Sequence, residues 1–148
     1  FSSNIHRVYQ AIDYGVKHGR KVCIIGRSME KNLDVAMDLG YIKLPKGIFI
    51  EAHEVAKYPD NEVLIVTTGS QGESMSALYR MAIDEHRHIK LKEGDQIILS
   101  AKAIPGNEPG VSELINYLMK KGAKVAYQDF SEIHVSGHAA QEEQKLML

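Results

Sequence analysis

A single cysteine among 148 residues excludes a disulfide framework. Cys23 lies in the apolar run Val22-Cys23-Ile24-Ile25, where it reads as a small buried hydrophobe, and a cytoplasmic home is expected. A surplus of one charge is also missing: 18 basic and 19 acidic residues leave a formal net charge of -1. That excludes a histone-like or arm-like nucleic-acid binder, whose affinity comes from a large basic excess. Local phosphate binding by a few well-placed groups stays open. No apolar stretch approaches membrane-spanning length and no signal peptide is recognisable, so no membrane partner is expected. The clustered His-x-His-x-Asp-His pattern of a dinuclear metal site is absent. So are a Walker-type loop and a Gly-x-Gly-x-x-Gly fingerprint, and Gly69-x-x-Gly72 does not replace the latter.

What is there is ordinary for a globular chain: 44% hydrophobic and 25% charged residues, enough for one domain with a real core. No repeat, low-complexity stretch or linker divides it. The chain begins at Phe1 without a methionine and stops within the helical pattern of Glu142 to Leu148, which reads as a piece of a longer protein.

Short β-rich runs alternate with amphipathic segments. Ile5, Val8, Ile12 and Val16 recur at helical spacing, with Ser2 or Ser3 as the expected cap and Gly19 as the stop. Lys21 to Ile25 is a buried-strand candidate. Ser28 is expected to cap a second helix through Leu33, Val35, Ala36 and Leu39, ended by Gly40. Ile48 to Ile50 leads into a brief helix that Pro59 terminates. Val63 to Thr67 is the clearest strand, followed by a helix carrying Met75, Leu78, Tyr79 and Ala82. Gln96 to Leu99, a helix through Val111, Leu114, Ile115 and Leu118, the strand Ala123 to Tyr127 and a helix from Ala139 complete the pattern. Strands apolar throughout, separated by helices, predict an α/β fold of three layers: a mostly parallel sheet with helices on both faces.

In such sheets ligands sit beyond the carboxyl ends of the strands. The segments expected there are polar: Gly26-Arg27-Ser28-Met29, Thr67 to Glu73, Ser100 with Ile104-Pro105-Gly106-Asn107-Glu108, and His134-Val135-Ser136-Gly137-His138. Each alone also fits common turn chemistry. Together they place hydroxyls and imidazoles on one rim, which turn chemistry does not require. Ser136-Gly137 between the two histidines suits a strand-to-helix loop that offers imidazole, hydroxyl and backbone N–H groups to one phosphate. The bland alternative is that His134 points into the core and bonds a neighbouring carbonyl. His18, His53, His86 and His88 show no ligand spacing with an acidic partner and read as solvated surface.

Phe1-Ser2-Ser3-Asn4-Ile5-His6-Arg7, Gly26-Arg27-Ser28-Met29, Thr68-Gly69-Ser70-Gln71-Gly72-Glu73, Ile104-Pro105-Gly106-Asn107 and His134-Val135-Ser136-Gly137-His138 resemble, in that order, the signatures of the ribonuclease J family. The tail from Gln141 to Leu148 looks familial as well. The resemblance runs end to end and covers a Rossmann-like domain, β-CASP, inserted in a metallo-β-lactamase fold. It implies a zinc-dependent enzyme of 5′-to-3′ exonuclease and endonuclease action in RNA decay and processing. Residues 1–148 would be a single β-CASP domain of it, inactive alone. RNA is then the expected partner, with Ser3, Asn4, Ile5, Arg27, Ser28, Ser70, Asn107, His134, Val135, Ser136, Gly137 and His138 as RNA or phosphate contacts. His138 would assist catalysis beside the scissile phosphate. Two zinc ions would be held by the lactamase domain, with no cofactor in these 148 residues. They would lower the pKa of a bridging water that attacks phosphorus in line. The rest of the lactamase domain, and either further copies or other RNA-decay proteins, are the implied protein partners.

Two departures from the family pattern stand out. Ser74 occupies the place of a usual proline, and Ala101-Lys102-Ala103 replaces a serine- and proline-rich lead, adding a cation near the implied RNA path. Two rivals belong to other classes. One is a non-catalytic phosphate-binding or nucleotide-binding α/β module. The other is a flavodoxin-type domain, which needs an aromatic side chain in the rim loops, and those loops contain none.

Overall fold

The computed structural model describes residues 4–127 and residue 145. Helix α1 (Ile5–Lys17) starts at Asn4, whose side-chain oxygen accepts the Arg7 backbone N–H at 3.2 Å. Asn4 thus takes the capping role expected of Ser2 or Ser3. An amide oxygen held there satisfies one of the orphan donors of the first turn. Strand β1 (Lys21–Ile25) follows, then α2 (Arg27–Asp38), β2 (Val63–Thr67), α3 (Ala77–Ala82), β3 (Gln96–Ile98), α4 (Glu108–Lys120) and β4 (Lys124–Ala126). A short 3-10 helix at Ala52–Lys57 precedes Pro59. The strands at 96 and 124 are shorter than the sequence pattern predicts, although the Leu99 N–H still donates to the Ala126 carbonyl at 2.9 Å. The final helix expected from Ala139 falls, Lys145 apart, outside the described residues.

All described ladders are parallel. β1 pairs with β2 from Lys21↔Val63 to Ile25↔Thr67, and β3 pairs with β4 from Gln96↔Lys124 to Ile98↔Ala126. Phe49 adds a parallel bridge to Val22 on the other edge of β1. The period of two along β1 and β2 decides which helix covers which face. Val22, Ile24, Leu64 and Val66 turn to one side, where Val8 and Ile12 of α1 and Met29, Leu33 and Ala36 of α2 close a core. Ile25 and Ile65 turn to the other, against Ala77 and Met81 of α3 and Ile89. The three expected layers are therefore present around β1 and β2. Cys23 is buried there, and desolvation pushes its thiol up to about 11, so it stays a neutral apolar filler.

The second strand pair differs from expectation. Leu114 and Leu118 of α4, with Leu78 and Ala82 of α3, cover the face of Ile97, Leu99 and Val125. Ile98, on the opposite face, remains 68% exposed among the described residues. Among the described residues no ladder joins β2 to β3, so the strands of the expected single sheet appear there as two parallel pairs. Packing takes the place of that ladder: α3 contributes to the cores of both halves, and Leu91 packs against both.

Candidate phosphate-binding edge

β1 and β2 run the same way, so the segments after them emerge together, and side-chain contacts draw the segment after β3 to the same edge. Their mutual contacts are specific. A Cβ built on Gly26 would meet the Thr68 side chain at 3.0 Å, so the first two loops touch. Gln71 binds the second loop to the third: its Nε2 donates to the Lys102 carbonyl and its Oε1 accepts the Ile104 N–H, both at 2.8 Å. Gly72, at φ +75°, approaches the backbone of Gly110 in the first turn of α4 so closely that a Cβ would overlap the Gly110 carbonyl group. Only glycine meets both demands, positive φ and backbone-on-backbone approach. The start of α1 is drawn to the same edge, since Arg7 Nη1 donates to the Ser100 carbonyl at 2.9 Å across 93 residues.

The residues expected to contact RNA occupy distinct places on this edge. Asn4 and Ile5 form the start of α1, with the Asn4 side chain committed to the cap. Arg27 and Ser28 are exposed in the first turn of α2. Ser28 is not that helix's cap. Gly26 holds the position at φ +145° with no side chain to cap the first turn, and its own N–H donates back to the Glu30 carboxylate at 3.1 Å. Ser70 lines a cavity of about 330 Å³ beneath the end of β3, with Lys102, Glu108, Ser112, Asn116 and Tyr127 among its walls. Asn107 stands at the cap of α4 without a side-chain cap bond, while the Gly106 N–H donates to Glu108. Ser3, His134, Val135, Ser136, Gly137 and His138 lie outside the described residues.

Arg27 does not share the cavity of Ser70. It lines a second one, about 380 Å³, between the ends of β1 and β2 together with Glu30, Thr68, Ser76 and Arg80. Sequence reasoning gave Arg80 no role. Its signal was available, an arginine one turn past the residue that caps the helix after the glycine-rich loop, but arginine on a short helix reads first as solvated surface. The rim loops hold no aromatic, yet Tyr127, at the end of the fourth apolar run, lines the first cavity. Loop composition therefore does not by itself exclude a flavodoxin-type domain.

The histidines need one correction. His86 is buried, 8% exposed, rather than solvated. Its Nδ1 accepts the backbone N–H groups of His88 at 3.3 Å and Ile89 at 3.1 Å, closing the turn after α3. Burial, helped by Arg80, His88 and Lys90, lowers its pKa below the usual imidazole value. Among the described residues no three His, Cys, Asp or Glu side chains gather to hold a metal ion, and no helix is long and apolar enough to cross a membrane.

Parallel strands layered by helices, with glycine-bearing polar loops joined at their carboxyl ends, define an α/β domain of the kind whose ligands sit at the strand ends. Comparison with known proteins gives the family: the chain belongs to the β-CASP domain family of ribonuclease J, whose model, "Ribonuclease J, beta-CASP domain", matches residues 1–118. Among curated relatives, ribonuclease J of Helicobacter pylori strain B128 is 76% identical over 148 residues, covering 100% of this chain and 21% of the relative. Ribonuclease J 1 of Streptococcus pyogenes serotype M3 is 51% identical over all of this chain and 26% of its own length. Ribonuclease J2 of Bacillus subtilis is 41% identical over the same shares, 100% and 26%. The chain spans about a fifth to a quarter of the length of these relatives. That membership favours the ribonuclease reading over a flavodoxin-type domain.

Proposed function

We propose that residues 1–148 act as one RNA-contacting domain within a metal-dependent, cytoplasmic ribonuclease of RNA decay and processing. The observation that carries this reading is the joining of the loops after β1, β2 and β3 into one polar edge through Gln71, Gly72 and Gly26. Along such an edge lie Arg27 and Ser28 at the start of α2, Ser70 after β2 and Asn107 at the cap of α4. These groups suit the repeated phosphates and hydroxyls of a ribonucleotide chain. Net charge near zero fits a surface that positions RNA by a few contacts rather than by a broad basic field.

The described residues do not fit a zinc centre, and no hydrolytic step is derived from them. Zinc ligands, the remainder of a lactamase domain and contacts with further copies or other RNA-decay proteins belong, on this reading, to sequence beyond these 148 residues. Alone, the 148 residues are then a binding module without hydrolysis. His134 to His138 would extend the edge, with Ser3, Val135, Ser136 and Gly137 also contacting phosphate. The His138 imidazole would donate toward the phosphate as negative charge develops.

His138→Ala in the full-length protein tests this. A group that acts chiefly in the transition state lowers turnover with little effect on ground-state binding. Single-turnover cleavage should fall on the order of a hundredfold, with RNA affinity changed far less, in a variant of unaltered melting temperature. Near-normal cleavage by the folded variant would remove His138 from the chemistry and leave it a positioning residue.

A further inference from the structure

The two helices that leave β1 and β2 go to opposite faces. α2 returns over the side of Ile24 and Val66, and α3 over the side of Ile25 and Ile65. The gap between the ends of β1 and β2 is thus a topological switch point, where diverging connections leave a crevice in an open parallel sheet. The 380 Å³ cavity occupies this gap. Arg27 enters it from α2 and Arg80 from α3, and among the described residues neither guanidinium is hydrogen-bonded or ion-paired. The Thr68 side-chain hydroxyl has no partner among those residues either, and the Ser76 hydroxyl, which accepts the Tyr79 N–H at 3.2 Å, keeps its proton for donation.

We infer that this crevice is a subsite for one internal phosphodiester of a single-stranded polynucleotide, gripped by Arg27 and Arg80. The inference rests on the RNA-contacting reading and deepens it by naming the bound group and adding Arg80. Two guanidiniums arriving from opposite sides can fork onto the non-bridging oxygens, the geometry that makes arginine a phosphate ligand. Thr68 and Ser76 supply hydroxyl donors. Charge selects the diester over a terminal monoester. Glu30, bonded to the Gly26 N–H, lines the same cavity, so two arginines and one carboxylate leave a single net positive charge. A diester carries one negative charge, whereas a terminal monoester carries about 1.5 to 2 at neutral pH and would be repelled by Glu30.

The test uses the full-length protein, a short 5′-hydroxyl oligoribonucleotide and a chelator that prevents cleavage. Binding is followed across a salt series for wild type, Arg27→Gln, Arg80→Gln, Thr68→Val and Arg80→Lys. The glutamine variants should each bind roughly ten- to hundredfold more weakly, as for loss of a charge-assisted bond. The double glutamine variant should lower the salt slope by about 0.7, the value for one single-strand phosphate. Arg80→Lys should recover part of the affinity and Thr68→Val should lose a smaller part. Unchanged affinity in folded Arg80→Gln, with wild type binding RNA, overturns the subsite and leaves the RNA-contacting reading standing. Failure of wild type to bind removes both. A loss confined to the 5′-phosphorylated form of the same oligonucleotide contradicts the assignment to an internal diester.

Discussion

At the scale of single residues, the side chains that resemble family signatures divide into those left exposed along the edge and those that build it. Asn4 caps α1, Arg7 ties that helix to Ser100, Gln71 bridges two loops, and Gly72 permits the backbone of α4 to come close. Arg27 and Ser28 stay exposed. His86 belongs to the builders, and its chemistry gives a pH prediction. The neutral imidazole accepts two backbone N–H groups, so protonating Nδ1 would set a proton against two donors. Its folded pKa lies below the usual 6.5. The unfolded chain therefore binds the proton more readily, and stability must fall as pH drops from about 6.5 toward the depressed folded value. Thermal melts should show His86→Gln less stable than wild type at pH 7.5, with the gap narrowing by pH 5.5. A constant gap over that range would mean His86 does not titrate with folding.

The elements themselves were largely legible in the sequence, and the joints between them were not. β1 and β2 are visible because both faces are buried, which turns each into a continuous apolar run; α4 is visible because Leu114, Ile115 and Leu118 recur on one side. Hydrophobic patterning contains no sign that Gln71 spans to Ile104, or that β2 and β3 fail to pair, since both depend on partners more than twenty residues away in sequence. Ser28 differs from expectation for a local reason: serine is a favoured cap, but the helix starts one residue earlier, at Arg27, with Gly26 at the cap and its N–H bonded to the Glu30 carboxylate four residues on. Half of the candidate site, Ser3 and the His134–His138 stretch, lies outside the described residues and stays a sequence reading. The joint at Gln71 can be probed directly. Gln71→Ala deletes two loop-to-loop hydrogen bonds together worth about 1–3 kcal/mol. Amide exchange at Ile104 should quicken about fivefold or more, while amides in the core of α4 keep wild-type rates. Unchanged exchange at Ile104 would show the loops are held together by packing alone.

For the whole molecule, the proposed function assigns RNA to one side of the domain. Parallel strands fix a polar edge at Gly26–Ser28, Thr68–Gly72 and Ser100–Asn107, and leave the opposite edge to the turns before β1, β3 and β4 at Gly19, Gly94 and Gly122. The two ends differ in kind as well. Both use glycines at positive φ, but the first also carries Arg27, Arg80, the Thr68, Ser70 and Ser76 hydroxyls and the two cavities they line. Comparison of hydrogen–deuterium exchange in the full-length protein, with and without a single-stranded RNA under chelation, reads this asymmetry in one measurement. Protection on RNA binding should appear in peptides covering residues 26–30, 68–72 and 100–107, and be absent from those covering 18–21, 93–95 and 121–123. Protection confined to the second set, with the first unchanged, would contradict the account.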